Sequence, residues 1–281
     1  MLLIATLVAT LGIYGIWTNV AHSQASGLVG YWNFNEGSGT TVSDSSGNGN
    51  SGTLSSYQDT LLPQWVNGFN GTSALKFDGN KDFVKVSDSS SLDFSSAVTV
   101  MAWVYLPTGA HYLYSRILGK DASNGGVNLD FDIANDSGYL QVGLGTDGGS
   151  SGEAIVVYSV GVVPRNAWTN VAMTYDGSLI KIYINGTLDS TYSWTGGFTT
   201  NNSMPLCIGA GNYEGAAGGT PYQFCINATI DDVRIYNTAL SQQDIQNLVP
   251  EFPIVIFPLL FIVLTSMVAV FAKKRFSRKP N

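Results

Sequence analysis

The sequence predicts an all-β fold, a two-sheet antiparallel sandwich, on three observations. Short apolar or alternating runs recur through the middle of the 281-residue chain, nearly all bounded by Gly, Asn, Asp or Ser. Asp176-Gly177 and Asn185-Gly186 each sit between two alternating runs, the sequence form of a tight hairpin. One run, VTVMAWVYL over 98–106, is apolar on both faces, as a central strand covered from both sides must be.

Taken in order, the expected strands are ALKF from Ala74, FVKV from Phe83, AVTVMAWVYL from Ala97, VNLDFDI from Val127, YLQVGL from Tyr139 and AIVVYSV from Ala154. WTNVAMTY from Trp168, LIKIYI from Leu179, MPLCIG from Met204 and IDDVRIY from Ile230 follow. Side chains alternate between faces along a strand, so Val127, Leu129, Phe131 and Ile133 point to the core and Asn128, Asp130 and Asp132 share the other face. By the same rule Asp231 shares a face with Val233 and Ile235, and Asp232 shares the other with Arg234. Trp32, Trp103 and Trp168 lie inside apolar runs and are assigned to the core. A short amphipathic helix over 241–248, with Ser241 as its N-cap, closes the domain. The Ser-, Gly- and Asn-rich stretches near 42–56 and 212–220 read as loops. Together these elements make one domain over 26–249.

Composition removes several functions. The chain carries 13 basic and 20 acidic side chains, a formal charge of −7. Five of the basic residues lie in the last nine positions, which leaves eight against 19 acidic ones over 26–250. Nucleic acid is therefore excluded as a partner, because a phosphate-binding surface needs clustered Lys and Arg. Two cysteines cannot build a thiolate zinc site, and the two histidines, His22 and His111, argue against a His-based metal cluster or a Ser/His/Asp triad.

Both ends read as targeting segments. MLLIATLVATLGIYGIW followed by TNVAHSQAS has the apolar stretch and small residues of a secretory signal peptide over 1–25, cleaved after Ser23 or Ala25; the alternative is an uncleaved N-terminal anchor. An uninterrupted, predominantly apolar run from Phe252 to Ala272 is long enough as a helix to cross about 30 Å of hydrocarbon. The basic tail over 273–281, KKRFSRKPN, follows at once, and the positive-inside rule places everything before it outside the cell. Cys207 and Cys225 flank a Gly-rich excursion; in an exported protein they are read as a disulfide worth about 3 kcal/mol, with two buried thiols as the alternative. Five N-x-S/T sequons, at Asn70, Asn135, Asn185, Asn201 and Asn227, fit an exported glycoprotein, although Asn185 is also the first residue of a tight turn.

Two resemblances sharpen this. Pro250-Glu251-Phe252, the span over 253–272 and the basic tail together resemble the PEF-CTERM sorting signal of archaeal surface proteins. That resemblance implies cutting near the motif by an archaeosortase and transfer of the body to a lipid; the alternative is a plain membrane anchor. The body resembles the LamG-like jelly roll of the concanavalin A-like lectin/glucanase superfamily. The matching pieces, in the family's order, are LVGYWNFNEGSGTTVSDSSGNGNSGTL from Leu28, ALKFDGNKDFVKVSD from Ala74 and SSAVTVMAWVYL from Ser95. WTNVAMTYDGSLIKIYINGTLDS from Trp168, LCIGAG from Leu206 and IDDVRIYNTALSQQDIQNL from Ile230 complete them. This implies a two-sheet jelly roll, an architecture that hosts lectins, glycosidases, adhesion modules and spacers alike.

The resemblance also implies a structural Ca2+ held by an acidic N-terminal loop and a late strand, here Glu36, Asp44 and Asp231 or Asp232. A carboxylate on an apolar face needs a cation or several donors, and calcium takes oxygen ligands. Asp44 capping a turn and Asp231 bonding backbone amides is the plainer alternative. Asp78, Asn80 and Asp82 resemble a calcium loop of pentraxin relatives but read better as a turn. The superfamily's endo-glucanases use an E-x-D-x-E strand, and the nearest string is Asn128-Leu129-Asp130-Phe131-Asp132. Asn128 stands at the nucleophile's position and cannot form a glycosyl ester, so no catalysis is expected. The same face is the expected glycan site: Asn128, Asp130 and Asp132, with Tyr139 and Gln141 on the next strand, offer hydrogen-bond partners beside an aromatic ring. Tyr112, Tyr114, Tyr213 and Tyr222 on loops could extend it. The expectation is thus an exported, surface-tethered, non-catalytic module for glycan or another surface macromolecule, against a hydrolase or lyase of the same fold and a purely structural envelope protein.

Overall fold

The computed structural model describes residues 25–57, 61–110, 113–121, 128–146, 154–200, 202–211 and 224–249. The expected signal peptide before Ala25, sorting motif, span and basic tail lie outside the described residues, as do Tyr112, Tyr213, Tyr222 and Asn201 and the side chains of Tyr114, Asn70 and Asn135. Among the described residues no helix is long and apolar enough to cross a membrane.

The strands are β1 (Leu28–Trp32), β2 (Thr41–Val42), β3 (Gly52–Ser56), β4 (Gln64–Asn67), β5 (Ser73–Asp78), β6 (Asp82–Val86), β7 (Val98–Tyr105) and β8 (Leu113–Lys120). β9 (Leu129–Asn135), β10 (Tyr139–Leu144), β11 (Ile155–Val162), β12 (Trp168–Tyr175), β13 (Leu179–Ile184), β14 (Thr187–Ser193), β15 (Leu206–Ile208) and β16 (Asn227–Tyr236) follow, then helix α1 (Gln242–Leu248). They form two antiparallel sheets. The first runs β14-β13-β12-β7-β16-β5-β4, with β1 on the second half of β16, and the other runs β11-β10-β9-β8-β15-β6-β3-β2.

The core lies between them. Val98, Val100, Ala102 and Val104 of β7, Val171 and Met173 of β12 and Ile230 of β16 face Leu129, Phe131 and Ile133 of β9 and Leu140 and Val142 of β10. Each such side chain, fully buried, contributes about 1.5–3 kcal/mol. β7 is central and covered on both sides, as its sequence requires. Outside, Met101 packs with Ala172, Tyr183, Tyr236 and Ile245 of α1, and the Trp103 ring stacks on Phe69 with centroids 3.6 Å apart. Ser241 caps α1 in a reciprocal capping box with Asp244. Asn185-Gly186 turns with φ of 50° and 71°, the left-handed pair that a two-residue hairpin demands.

Four expectations are corrected. The 42–56 stretch contains β3 and the end of β2 and is not all loop. Trp168 is half-buried on the outer surface, whereas Trp32 and Trp103 are buried as expected, Trp32 between the sheets and Trp103 on the other face of β7 beneath Phe69. Asp231 does not share a face with Val233 and Ile235: a bulge between Asp231 and Arg234, with Asp232 at φ 51°, reverses the alternation and leaves Asp231 outward, opposite Trp103. Finally, no disulfide joins Cys207 and Cys225, although both pack in one small cluster with Phe83 and Ala210.

Candidate functional site

The strand registers align one row of outward side chains across five strands of the first sheet. Trp168 of β12 pairs with Tyr105 of β7, Tyr105 with Thr229 of β16, Thr229 with Lys76 of β5, and Lys76 with Gln64 of β4. Paired positions share a face, so the row reads indole, phenol, hydroxyl, ammonium, amide. From Trp168 to Lys76 is three strand spacings, about 14 Å. A groove of about 370 Å³ follows this row, lined by Trp168, Tyr105, Thr229 and Lys76 with Asn67 and Asn227 at the side. The Trp168 and Tyr105 rings lie 5.9 Å apart, and Phe69 meets Trp168 edge-on at 6.3 Å, so the indole is braced from two directions. Two rings beside an amide, a hydroxyl and an ammonium can cover an apolar sugar face and bond its hydroxyls. Next to the row, Asn170 is buried with neither side-chain polar atom hydrogen-bonded.

The face expected to bind glycan is arranged differently. Asp130, Asp132 and Gln141 do share the outer face of the second sheet, but they are buried, and so is Asn128. Asp130 and Asp132, with Asp121, surround Arg116 of β8. Its Nη1 lies 2.7 Å from Asp121 and 2.6 Å from Asp130; its Nε is 2.6 Å from Asp132 Oδ1, an ionic contact off the N–H direction. Gln141 Nε2 donates to Asp132 Oδ2, while the Asn128 amide is buried without a partner. Tyr139 is half-buried. Three carboxylates face one guanidinium out of water, and burial outweighs Arg116: Asp132 is raised to about 7 and Asp130 well above the usual range.

Burial likewise raises Asp82, which accepts from the Asp78 amide, to about 7, and Asp231 to about 7. Between about 4 and 7 the folded state holds protons that the unfolded chain has lost. Stability is therefore complete below the unfolded carboxylate range and is lost as pH rises through about 7. In the absence of calcium, thermal melts are expected to give a lower midpoint at pH 8 than at pH 5; a midpoint rising over that interval contradicts this.

The three expected calcium ligands separate. Asp44 is a turn cap: Oδ1 accepts the amides of Tyr31 and Ser46, and Oδ2 accepts the Ser46 hydroxyl and the Asn50 amide, which leaves no lone pair for a cation. Glu36 fits better. Its Oε1 accepts the Ser43 amide, but Oε2 is buried without a partner. Asp231 accepts from the amides of Phe69 and Asp232. A Cβ on Gly68 would stand 2.5 Å from Asp231 Oδ2 and 2.7 Å from the Ser73 carbonyl oxygen, so only glycine leaves these oxygens uncovered. Ser73 ties the two acids to one region, because its hydroxyl donates to the Phe34 carbonyl and lies beside Gly37, next to Glu36. Asp232 is engaged elsewhere, by the Tyr31 hydroxyl and Arg234. Among the described residues no three His, Cys, Asp or Glu side chains form a metal-sized group, so backbone oxygens would have to complete the shell.

Of the sequons with described side chains, Asn185 accepts the Asn170 amide through Oδ1, and Asn227 lines the groove. The groove escaped the sequence reading because register decides it. Alternation alone, with Val171 and Met173 inward, would have turned Trp168 outward.

A family model described as the concanavalin A-like lectin/glucanases superfamily matches residues 78–246. No curated protein matches the chain. Among solved structures, the binding domain of Paraclostridial Mosquitocidal Protein 1 aligns with 79% of this chain and 51% of its own, at 17% identity and a TM-score of 0.59. Domain 4 of AbnA, a GH43 extracellular arabinanase from Geobacillus stearothermophilus in complex with arabinotriose, aligns with 80% of this chain and 98% of its own, at 21% identity and 0.55. The binding domain of Botulinum neurotoxin DC, in complex with rat synaptotagmin II, aligns with 80% and 52%, at 17% and 0.57. The chain thus spans about half the length of the two toxin domains, and at these identities the likeness is one of fold.

Proposed function

The chain belongs to the concanavalin A-like lectin/glucanases superfamily, and from that premise we propose that it is a non-catalytic glycan-binding module held at the cell surface. The observation that carries this is the row Trp168, Tyr105, Thr229, Lys76 along the groove, which offers ring faces at one end and hydrogen-bonding groups at the other. The arabinanase domain solved with arabinotriose and the toxin binding domains of the same fold support the reading. Against hydrolysis, Asn128 replaces the nucleophile, and Asp130 and Asp132 are enclosed around Arg116. Glu36 and Asp231 would hold a structural Ca2+, which on binding would supply the positive charge that Asp231 lacks in its buried position. The apolar run over 252–272 would anchor the module, directly or after processing by an archaeosortase-type enzyme.

A glycan-array screen of residues 26–249, in calcium and in chelator, tests this. Binding to a defined set of glycans is the expected result; an intact fold that binds none of them would leave a structural envelope role. Calcium should also raise the melting midpoint at pH 8, where Asp231 is ionised, more than at pH 5. Equal shifts at the two pH values would remove Asp231 from the ligand set.

A further inference from the structure

The groove differs in charge from the domain around it. Over 26–250 the chain carries 19 acidic and eight basic side chains, yet the residues that line the groove include no Asp or Glu and one charged group, Lys76. Lys76 is exposed, between Leu75 and Phe77, which point into the core. Other basic groups of this body are occupied: Arg116, Lys120 and Arg234 lie in ion pairs, and Arg165 donates to the carbonyls of Pro107, Ala110 and Asp136. Among the described residues Lys76 makes no ion pair and no hydrogen bond. Two acids share its face of the sheet, and both are engaged elsewhere. Asp78, two residues on, accepts the Asn80 amide at 2.7 Å, and Asp231 of β16 accepts the amides of Phe69 and Asp232. With acids in such excess a partner is easily supplied, so an unpaired ammonium in an acid-free groove is free for a ligand.

The chemistry of the two ends differs. Sugar hydroxyls are donors as well as acceptors, and an ionised carboxylate is the strongest acceptor a side chain can offer them. The groove has none. Its β5 end offers the Lys76 ammonium, with three donors, beside the side-chain amides of Gln64, which pairs with Lys76, and of Asn67, whose N–H groups add more. That is a donor set suited to an anion. The other end disfavours one, because the faces of the Trp168 and Tyr105 rings carry the negative part of the aromatic quadrupole and suit the C–H face of an uncharged sugar. The ends lie three strand spacings apart, about 14 Å, which is more than one sugar ring covers.

We propose that the groove takes an acidic oligosaccharide, with an uncharged sugar against Trp168 and Tyr105 and a carboxylate or sulfate group at Lys76. This deepens the glycan-binding reading and rests on it. The acidic body repels every anion alike, so the signature of the site is a preference that depends on residue 76, not a general affinity for anions.

The test probes an array of matched pairs with the full chain in detergent: uronate oligosaccharides beside their methyl esters, and sulfated oligosaccharides beside their desulfated forms. Expected is a preference of about fivefold for the charged member of at least one kind of pair, the size of a well-made ion pair at a protein surface. The preference should be kept in Lys76→Arg and lost in Lys76→Met. Confinement to the uronates or to the sulfated sugars identifies the anion. Binding that does not distinguish the members of a pair, or that favours the uncharged one, overturns the proposal and leaves the glycan site standing. A preference that survives Lys76→Met puts the anion elsewhere and also overturns it. Binding to no glycan removes the reading of the groove and the proposal with it.

Discussion

Replacing Arg116 by methionine is expected to destabilise the domain by about 3–5 kcal/mol, because it leaves Asp121, Asp130 and Asp132 buried without their cation. Methionine keeps most of the volume, so the loss reports charge more than packing. The cost should shrink toward pH 4, where Asp130 and Asp132 are protonated and no longer need a guanidinium, and grow above pH 7. Arg116→Met with Asp132→Asn should recover part of the loss, since two of the three acids then remain. Urea unfolding at pH 5 and pH 8 measures both effects. A cost below about 1 kcal/mol, as exposed pairs show, would mean that water reaches this cluster.

That cluster also marks where reading the chain alone stops. β7, β12, the two hairpin turns and the Ser241 cap were legible because each rests on local rules: alternation, left-handed turn residues and an oxygen for the N3 amide. β8 was not legible. Its string LYSRILGK places Arg116 and Lys120 at positions that polarity assigns to solvent. Both are buried because partners distant in sequence neutralise them: Asp121, Asp130 and Asp132 for Arg116, and Asp88 and Asp93 for Lys120. The outward face of β9 was identified correctly, but its solvation was not, since exposure depends on what lies over a sheet. Asp231 was misplaced for a similar reason: a bulge shifts the alternation by one residue and leaves no mark in the hydrophobic pattern. The groove is a further case. Trp168, Tyr105, Thr229 and Lys76 are scattered over 76–229, and only the pairing of four strands puts them in line.

Trp168→Ala is expected to lower glycan affinity at least tenfold while leaving the fold intact. The indole is half-buried at the start of β12 and outside the main core, so truncation removes a ring from the groove without opening a cavity between the sheets. A well-placed ring contact contributes about 0.5–1.5 kcal/mol beyond the area it covers, and the area itself adds to that; 1.4 kcal/mol is tenfold in affinity. Tyr105→Ala should cost less, because the phenol flanks the site and the indole remains. Lys76→Met, by contrast, should change which glycans bind more than how tightly. Isothermal titration with the best array ligand measures all three. Wild-type affinity in Trp168→Ala would take the ligand out of the groove.

The most direct test of the central claim is a nitrogen–proton chemical-shift map of residues 26–249 titrated with that ligand, because it reports the binding face without altering it. A glycan in the groove should move the Trp168 indole N–H and the amides of Tyr105, Thr229 and Lys76, and leave Tyr139, Gln141 and Asp130 unmoved. Shifts concentrated at Tyr139, Gln141 and Asp130, with Trp168 unchanged, would contradict the account and return the site to the outer face of the second sheet.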